Sequence, residues 1–193
     1  MKNLDKLPDN LPVPIDDGAC DHLLGLRVPS ILLEGTSDKS TDLSSIEGTV
    51  VAFFYPMNGR PDSLPMIGWN DIPGARGCTP QVCSFRDDYS TLASLEVSVF
   101  GISSQILADQ KEASVRLSLP YELLNDSQFA LTEAMNLPTF SYESSIYIKR
   151  ITLIIVDGII KKTFYPVFPP DKNVKDVIAW IDDDQVSQGG RES

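Results

Sequence analysis

The most continuous apolar stretch in the chain is TVVAFFY, residues 49–55, where β-branched, aliphatic and aromatic positions follow one another without alternation. Such a run predicts a strand buried on both faces of a sheet, and VSVFGIS (97–103) predicts a second. Between them Val82, Phe85, Tyr89, Leu92 and Leu95 recur at helical spacing, so the pattern predicts a helix over 78–95, with Pro80 near its first turn, where a missing N–H is tolerated. Residues 105–118 predict a helix that ends before Pro120. ELLN (122–125) reads as a short strand, and 128–136 as a helix with Asp126-Ser127 at its cap. SIYIKRITLIIV (145–156) reads as one β-rich run, Asp157-Gly158 as a hairpin turn and IIKKTFYP (159–166) as the returning strand. Val174, Val177, Ile178 and Ile181 place a closing helix over 172–182.

Polar, proline-containing residues flank this pattern. Residues 1–18, with Pro8, Pro12 and Pro14, read as an extended arm; 19–183 as one domain; 184–193 as a flexible tail. Residues 56–77 form a long Pro/Gly-rich loop, a length usually reserved for function. The element order predicts an α/β fold with a mixed central β-sheet and helices on both faces.

Charge narrows the choice of partner. Lys and Arg number 16 against 27 Asp and Glu, a net charge of −11. So acidic a chain repels phosphate backbones and anionic bilayers, and neither nucleic acid nor membrane is expected as a partner. No run approaches the about 18 apolar residues of a membrane span, and the N-terminus has no apolar signal-peptide core, so the expected location is cytoplasmic. Three cysteines, Cys20, Cys78 and Cys83, are too few for a secreted disulfide framework; in a reducing compartment they are buried, metal-bound or reactive. His22 is the sole histidine, and its Gly-flanked, loop-like setting makes a poor platform for a hydrolase triad. Cys20, His22, Cys78 and Cys83 do not have the usual zinc spacings, and no metal is expected.

The chemistry concentrates at DIPGARGCTPQVCSFRD (71–87). Cys78 lies where the Gly-rich loop becomes a helix; unpaired N–H groups and the positive end of the helix dipole there favour a thiolate over a thiol. Arg76, Arg86 or a distant arginine adds positive charge. A thiolate is the form that peroxides oxidise to sulfenic acid, and Gly77 lets the backbone approach a small substrate. The plainer reading of either cysteine is a small buried hydrophobe. On an intact helix Cys78 and Cys83 stand about 500° of rotation apart. A disulfide between them therefore requires the first turns to unwind.

AFFYP followed by GCTPQVCSFRDDY resembles the Q-type, bacterioferritin-comigratory branch of the peroxiredoxins, which typically reads F-Y-P and then T-P-G-C-T-x-x-x-C-x-F-R-D. VPSILLEG, VFGIS (99–103), LPYELLND (119–126) and KRITLIIVDGII (149–160) resemble further segments in order, so the resemblance covers roughly residues 20–182. It implies a thioredoxin-like fold, with which the element order is compatible, and a thiol-specific peroxidase that needs no cofactor. It assigns Cys78 as the peroxidatic cysteine, Cys83 as the resolving cysteine, Arg150 as the arginine flanking the thiolate, and Pro56 as the proline opening the active-site loop. Gly77, Thr79 and Trp69 are the expected substrate-binding residues. The implied substrates are hydrogen peroxide or organic hydroperoxides, the implied reductant a thioredoxin-like dithiol, and the implied assembly a monomer or homodimer.

Two departures stand out. The position where the family carries a Thr or Ser hydroxyl holds Ala75. The stretch from Pro56 to Cys78 is much longer than the family pattern, an insertion over 57–72, so Pro73 is the alternative loop-opening proline. Trp69 within it either lines the substrate mouth or anchors the loop. The missing hydroxyl motivates a second reading, a peroxide sensor or interaction module on the same fold with weak turnover. Cys20 and His22 read as an additional redox contact or as a loop packed on the domain. FYPVFPP (164–170) reads as a strand end with a turn or as part of an interface, and Arg86-Asp87 as structural support.

Overall fold

The computed structural model describes residues 7–63 and 66–189. Residues 1–6 of the expected arm, 64–65 of the long loop and 190–193 of the expected tail lie outside the described residues.

The sheet is built on β3 (Thr49–Phe54), buried almost throughout as its unbroken apolar run requires. It pairs in parallel with β4 (Val97–Ser103), and β4 with β5 (Glu122–Asn125). On its other side β3 pairs antiparallel with β8 (Ile151–Val156), and β8 with β9 (Ile159–Phe164). β1 (Leu32–Gly35) joins β5 antiparallel and β2 (Ser40–Asp42) closes that edge, giving the order β2-β1-β5-β4-β3-β8-β9. Asp157 and Gly158 both take positive φ in the β8–β9 turn, as an Asp-Gly hairpin demands. A separate hairpin joins β6 (Thr139–Tyr142) to β7 (Ser145–Ile148).

Alternation along β3 sends its side chains into two cores. Val51, Phe53 and Tyr55 pack on one face with Val82 and Phe85 of α1 (Cys78–Asp87), Leu92 of α2 (Tyr89–Ser94), Ala113 of α3 (Leu107–Leu117) and Val174 and Val177 of α5 (Asn173–Gly189). Val50, Ala52 and Phe54 face the other way, towards Leu131 of α4 (Ala130–Ala134), Met135 and Leu23. The mixed sheet with helices on both faces is therefore as expected.

The departures are local. The expected helix over 78–95 breaks at Asp88, whose ψ of 8° ends α1 and whose carboxylate accepts from Lys175 Nζ at 2.6 Å. The β-rich run over 145–156 divides at Lys149-Arg150 into β7 and β8. The closing helix runs past its expected end at 182 and continues to Gly189, into the segment read as a tail. At α4 the Asp126 carboxylate takes the Leu131 and Thr132 N–H groups at 3.1 and 2.9 Å, the capping role expected of it.

Candidate active site

Three segments remote in sequence converge on Cys78. The first follows β3, where Pro56 is buried and its carbonyl accepts from Ser103 Oγ at 2.9 Å. This directs the next N–H, that of Met57, at Cys78 Sγ, 3.4 Å away. The second is the start of α1. Gly77 precedes Cys78 with φ of +110°, and an added Cβ would stand 2.4 Å from Pro170 Cγ and 2.8 Å from Leu7 Cδ2, so both conformation and space demand glycine. The third is Arg150, which stands inside the break between β7 and β8 instead of continuing the ladder. Its Nη2 lies 3.2 Å from Cys78 Sγ and also donates to the carbonyls of Gly74, Ala75 and Arg76 at 3.2 to 3.4 Å.

Cys78 is 3 % exposed and Arg150 also 3 %, so the guanidinium faces the sulfur with almost no water between. A charge-assisted donor and a backbone N–H aimed at one sulfur stabilise negative charge on it. The Ala75 carbonyl, 3.6 Å from Sγ, accepts from the thiol. Both ends of the long loop thus return to the sulfur, Met57 from one side and Ala75 from the other.

The remaining expected site residues divide. Thr79 is buried in the first turn of α1. Cys83 is half-buried on the same unbroken helix, and neither Cys78 nor Cys83 is in a disulfide. Pro73 lines a cavity of about 230 Å³ with Pro14, Ile72, Phe140, Arg150 and Val167; the loop N–H that meets the thiol is that of Met57, the residue after Pro56. Trp69 does not stand at the sulfur. It is 7 % exposed and packs edge-on against Tyr142 and Tyr147 of the β6–β7 hairpin, with centroids 5.3 and 5.0 Å away. Its contacts are those of a loop anchor, one of the two roles expected of it.

Cys20 lies in the core on the opposite face of the sheet from Cys78. Burial, helped by the charges of Asp17 and Asp16, pushes its thiol up to about 12. His22 Nε2 pairs with the Met135 carbonyl at 2.9 Å, so both residues pack their loop onto the domain. The arm crosses the active-site loop: Pro14 lies against Gly74, and the Asp17 carboxylate is held down to about 2 by hydrogen bonds from Lys149 and Tyr165. FYPVFPP closes the other side, with Pro170 against Gly77.

A buried polar chain was not foreseen. Arg150 Nη1 donates to Gln81 Oε1, Gln81 Nε2 to Asn173 Oδ1 at 3.2 Å, and Thr152 Oγ1 to the same Asn173 oxygen at 2.6 Å. Gln81 sits one helical turn after Cys78, but a Gln at that position carries no signal until Arg150 and Asn173 are brought beside it.

A family model, Redoxin, matches residues 23–178. The chain belongs to the Redoxin family. Curated relatives of the chain include peroxiredoxins of the Q and Bcp type. A chloroplastic peroxiredoxin Q of Suaeda salsa is 24 % identical over 158 residues, 81 % of this chain and 66 % of the relative. Peroxiredoxin Bcp of Bacillus subtilis is 27 % identical over 114 residues, 58 % of this chain and 63 % of the relative. The chain spans about two thirds of the length of the curated relatives it matches. Among solved structures, peroxidoxin BcpB of Mycobacterium tuberculosis superposes with a TM-score of 0.67 at 24 % identity, over 82 % of this chain and 95 % of that one. The thioredoxin-like fold of this Redoxin-family chain is thereby established. Among its described residues no helix is long and apolar enough to cross a membrane.

Proposed function

We propose that the chain is a thiol-specific peroxidase acting on hydrogen peroxide or organic hydroperoxides. The observation that carries this reading is the pair of donors, Arg150 Nη2 and Met57 N–H, aimed at the buried sulfur of Cys78 at a helix start. The Cys78 thiolate attacks the nearer peroxide oxygen and the O–O bond breaks. The departing oxygen takes a proton and leaves as water or an alcohol, and Cys78 is left as a sulfenic acid. The same two donors support charge as it passes from sulfur to oxygen.

Cys83 then attacks the sulfenic sulfur. The S–O bond breaks, water leaves and an intramolecular disulfide forms. Both cysteines stand on the wound α1, so this step requires its first turns to open. A thioredoxin-like dithiol restores the thiols by exchange, which suits a reducing compartment such as the cytoplasm.

The sensor reading draws on Ala75, whose carbonyl is all that this loop position offers the sulfur. Steady-state peroxide consumption with thioredoxin and its reductase separates the two. The peroxidase reading predicts turnover by the wild type and none by Cys78→Ser. Oxidation of Cys78 without turnover supports the sensor.

A further inference from the structure

We infer that Asn173, at the start of α5, is a positioning residue: acting through Gln81, it both holds Arg150 against Cys78 and latches the first turn of α1 in its wound form. The inference rests on the peroxidase reading of Cys78 and Cys83.

The direction of each hydrogen bond in this chain follows from chemistry. A guanidinium only donates, so the Gln81 group facing Arg150 Nη1 is its carbonyl oxygen. The Gln81 amide nitrogen must then find an acceptor, and Asn173 Oδ1 is the one it meets, at 3.2 Å. Thr152 Oγ1 donates to the same oxygen at 2.6 Å and fixes the orientation of the Asn173 amide from β8. Gln81 is fully buried, Thr152 fully buried and Asn173 2 % exposed, so water does not substitute for a lost partner, and an unpaired group there carries the full cost of its desolvation.

The chain has two consequences of opposite sign. With Gln81 held, Arg150 is fixed from behind while its Nη2 meets Cys78, which favours oxidation of the thiolate. Gln81 lies in the segment between Cys78 and Cys83 that must open for them to join. Unwinding there pulls Gln81 away from Asn173 and Arg150 together, so the same bonds resist the resolving step. They prolong the life of the sulfenic acid, during which a second peroxide can oxidise it to sulfinic acid, with the peroxide reduced to water.

Rapid-quench mass spectrometry of the full chain reads both steps: sulfenic acid trapped with a carbon nucleophile, and disulfide by intact mass. Asn173→Leu is expected to slow sulfenic acid formation by about tenfold, the kinetic equivalent of one hydrogen bond, while speeding disulfide formation several-fold and reducing sulfinic acid at excess peroxide. Asn173→Asp keeps the acceptor oxygen and is expected to restore both rates. Thr152→Val, a milder change, is expected to shift both rates in the same directions as Asn173→Leu. Unchanged rates in both apolar variants, a parallel fall of both rates, or failure of the Asp variant to rescue overturns the inference. Absence of sulfenic acid in the wild type sinks the peroxidase reading instead.

Discussion

Arg150 Nη2 and Cys78 Sγ stand 3.2 Å apart although 72 positions separate them in the chain. One guanidinium serves the sulfur, the carbonyls of Gly74, Ala75 and Arg76, and Gln81 at once. Arg150→Met removes the charged donor from the sulfur, from these carbonyls and from Gln81. Its reaction with hydrogen peroxide, followed by stopped flow, is expected to fall by about 10²–10³-fold, as when a preorganised donor is deleted from a charge-stabilising site. Arg150→Lys is expected to recover little, because a single ammonium cannot span the same set of acceptors.

Cys83→Ser separates the two chemical steps. The variant is expected to take up peroxide at Cys78 at the wild-type rate, hold the sulfenic acid and stop before dithiol turnover. Amide exchange in α1 reports the accompanying motion: the oxidised wild type is expected to lose protection over residues 78–83, while oxidised Cys83→Ser keeps it.

Gly77→Ala tests the tight approach at the helix start. The alanine must hold a φ of +110° while its Cβ meets Pro170 and Leu7. Unfolding in urea is expected to show a loss of about 1–3 kcal/mol from the strained backbone, with a further loss as Pro170 is displaced.

The pattern along the chain shows where sequence reasoning reaches. β3 and β4 are legible because strands buried on both faces leave continuous apolar runs, and the β8–β9 turn because Asp157-Gly158 accepts positive φ at both positions. β1 and β2 escape it: they are short, and β1 alternates exposed with buried residues while β2 has none fully buried. The β-rich run over 145–156 does not reveal the break at Lys149-Arg150, since its cause is the carbonyls and sulfur that Arg150 leaves the ladder to meet. Cys78, Cys83 and Arg150 are singled out by the segments that resemble the Q-type peroxiredoxins. Gln81, Asn173 and the Met57 N–H were not, because the first two acquire meaning from partners far along the chain and the third has no side-chain signature.

Cys20 predicts a pH dependence. Its thiol is raised from an ordinary 9.0 to about 12 in the fold. Between those values the unfolded chain has released the proton and the folded chain keeps it, so the native state binds more protons and stability falls as pH rises from about 9. Cys20→Ala is expected to lose less stability than the wild type over that range in thermal unfolding. At pH 8 iodoacetamide is expected to leave Cys20 unlabelled in the native protein and to label it on unfolding.

The most direct test is to mix the reduced protein with one equivalent of hydrogen peroxide, block the remaining thiols and map all three cysteines by mass spectrometry. A Cys78–Cys83 disulfide is expected to form rapidly, with Cys20 recovered as a blocked thiol. An unoxidised Cys78, or a disulfide that includes Cys20, rules out a peroxidase that resolves through Cys83.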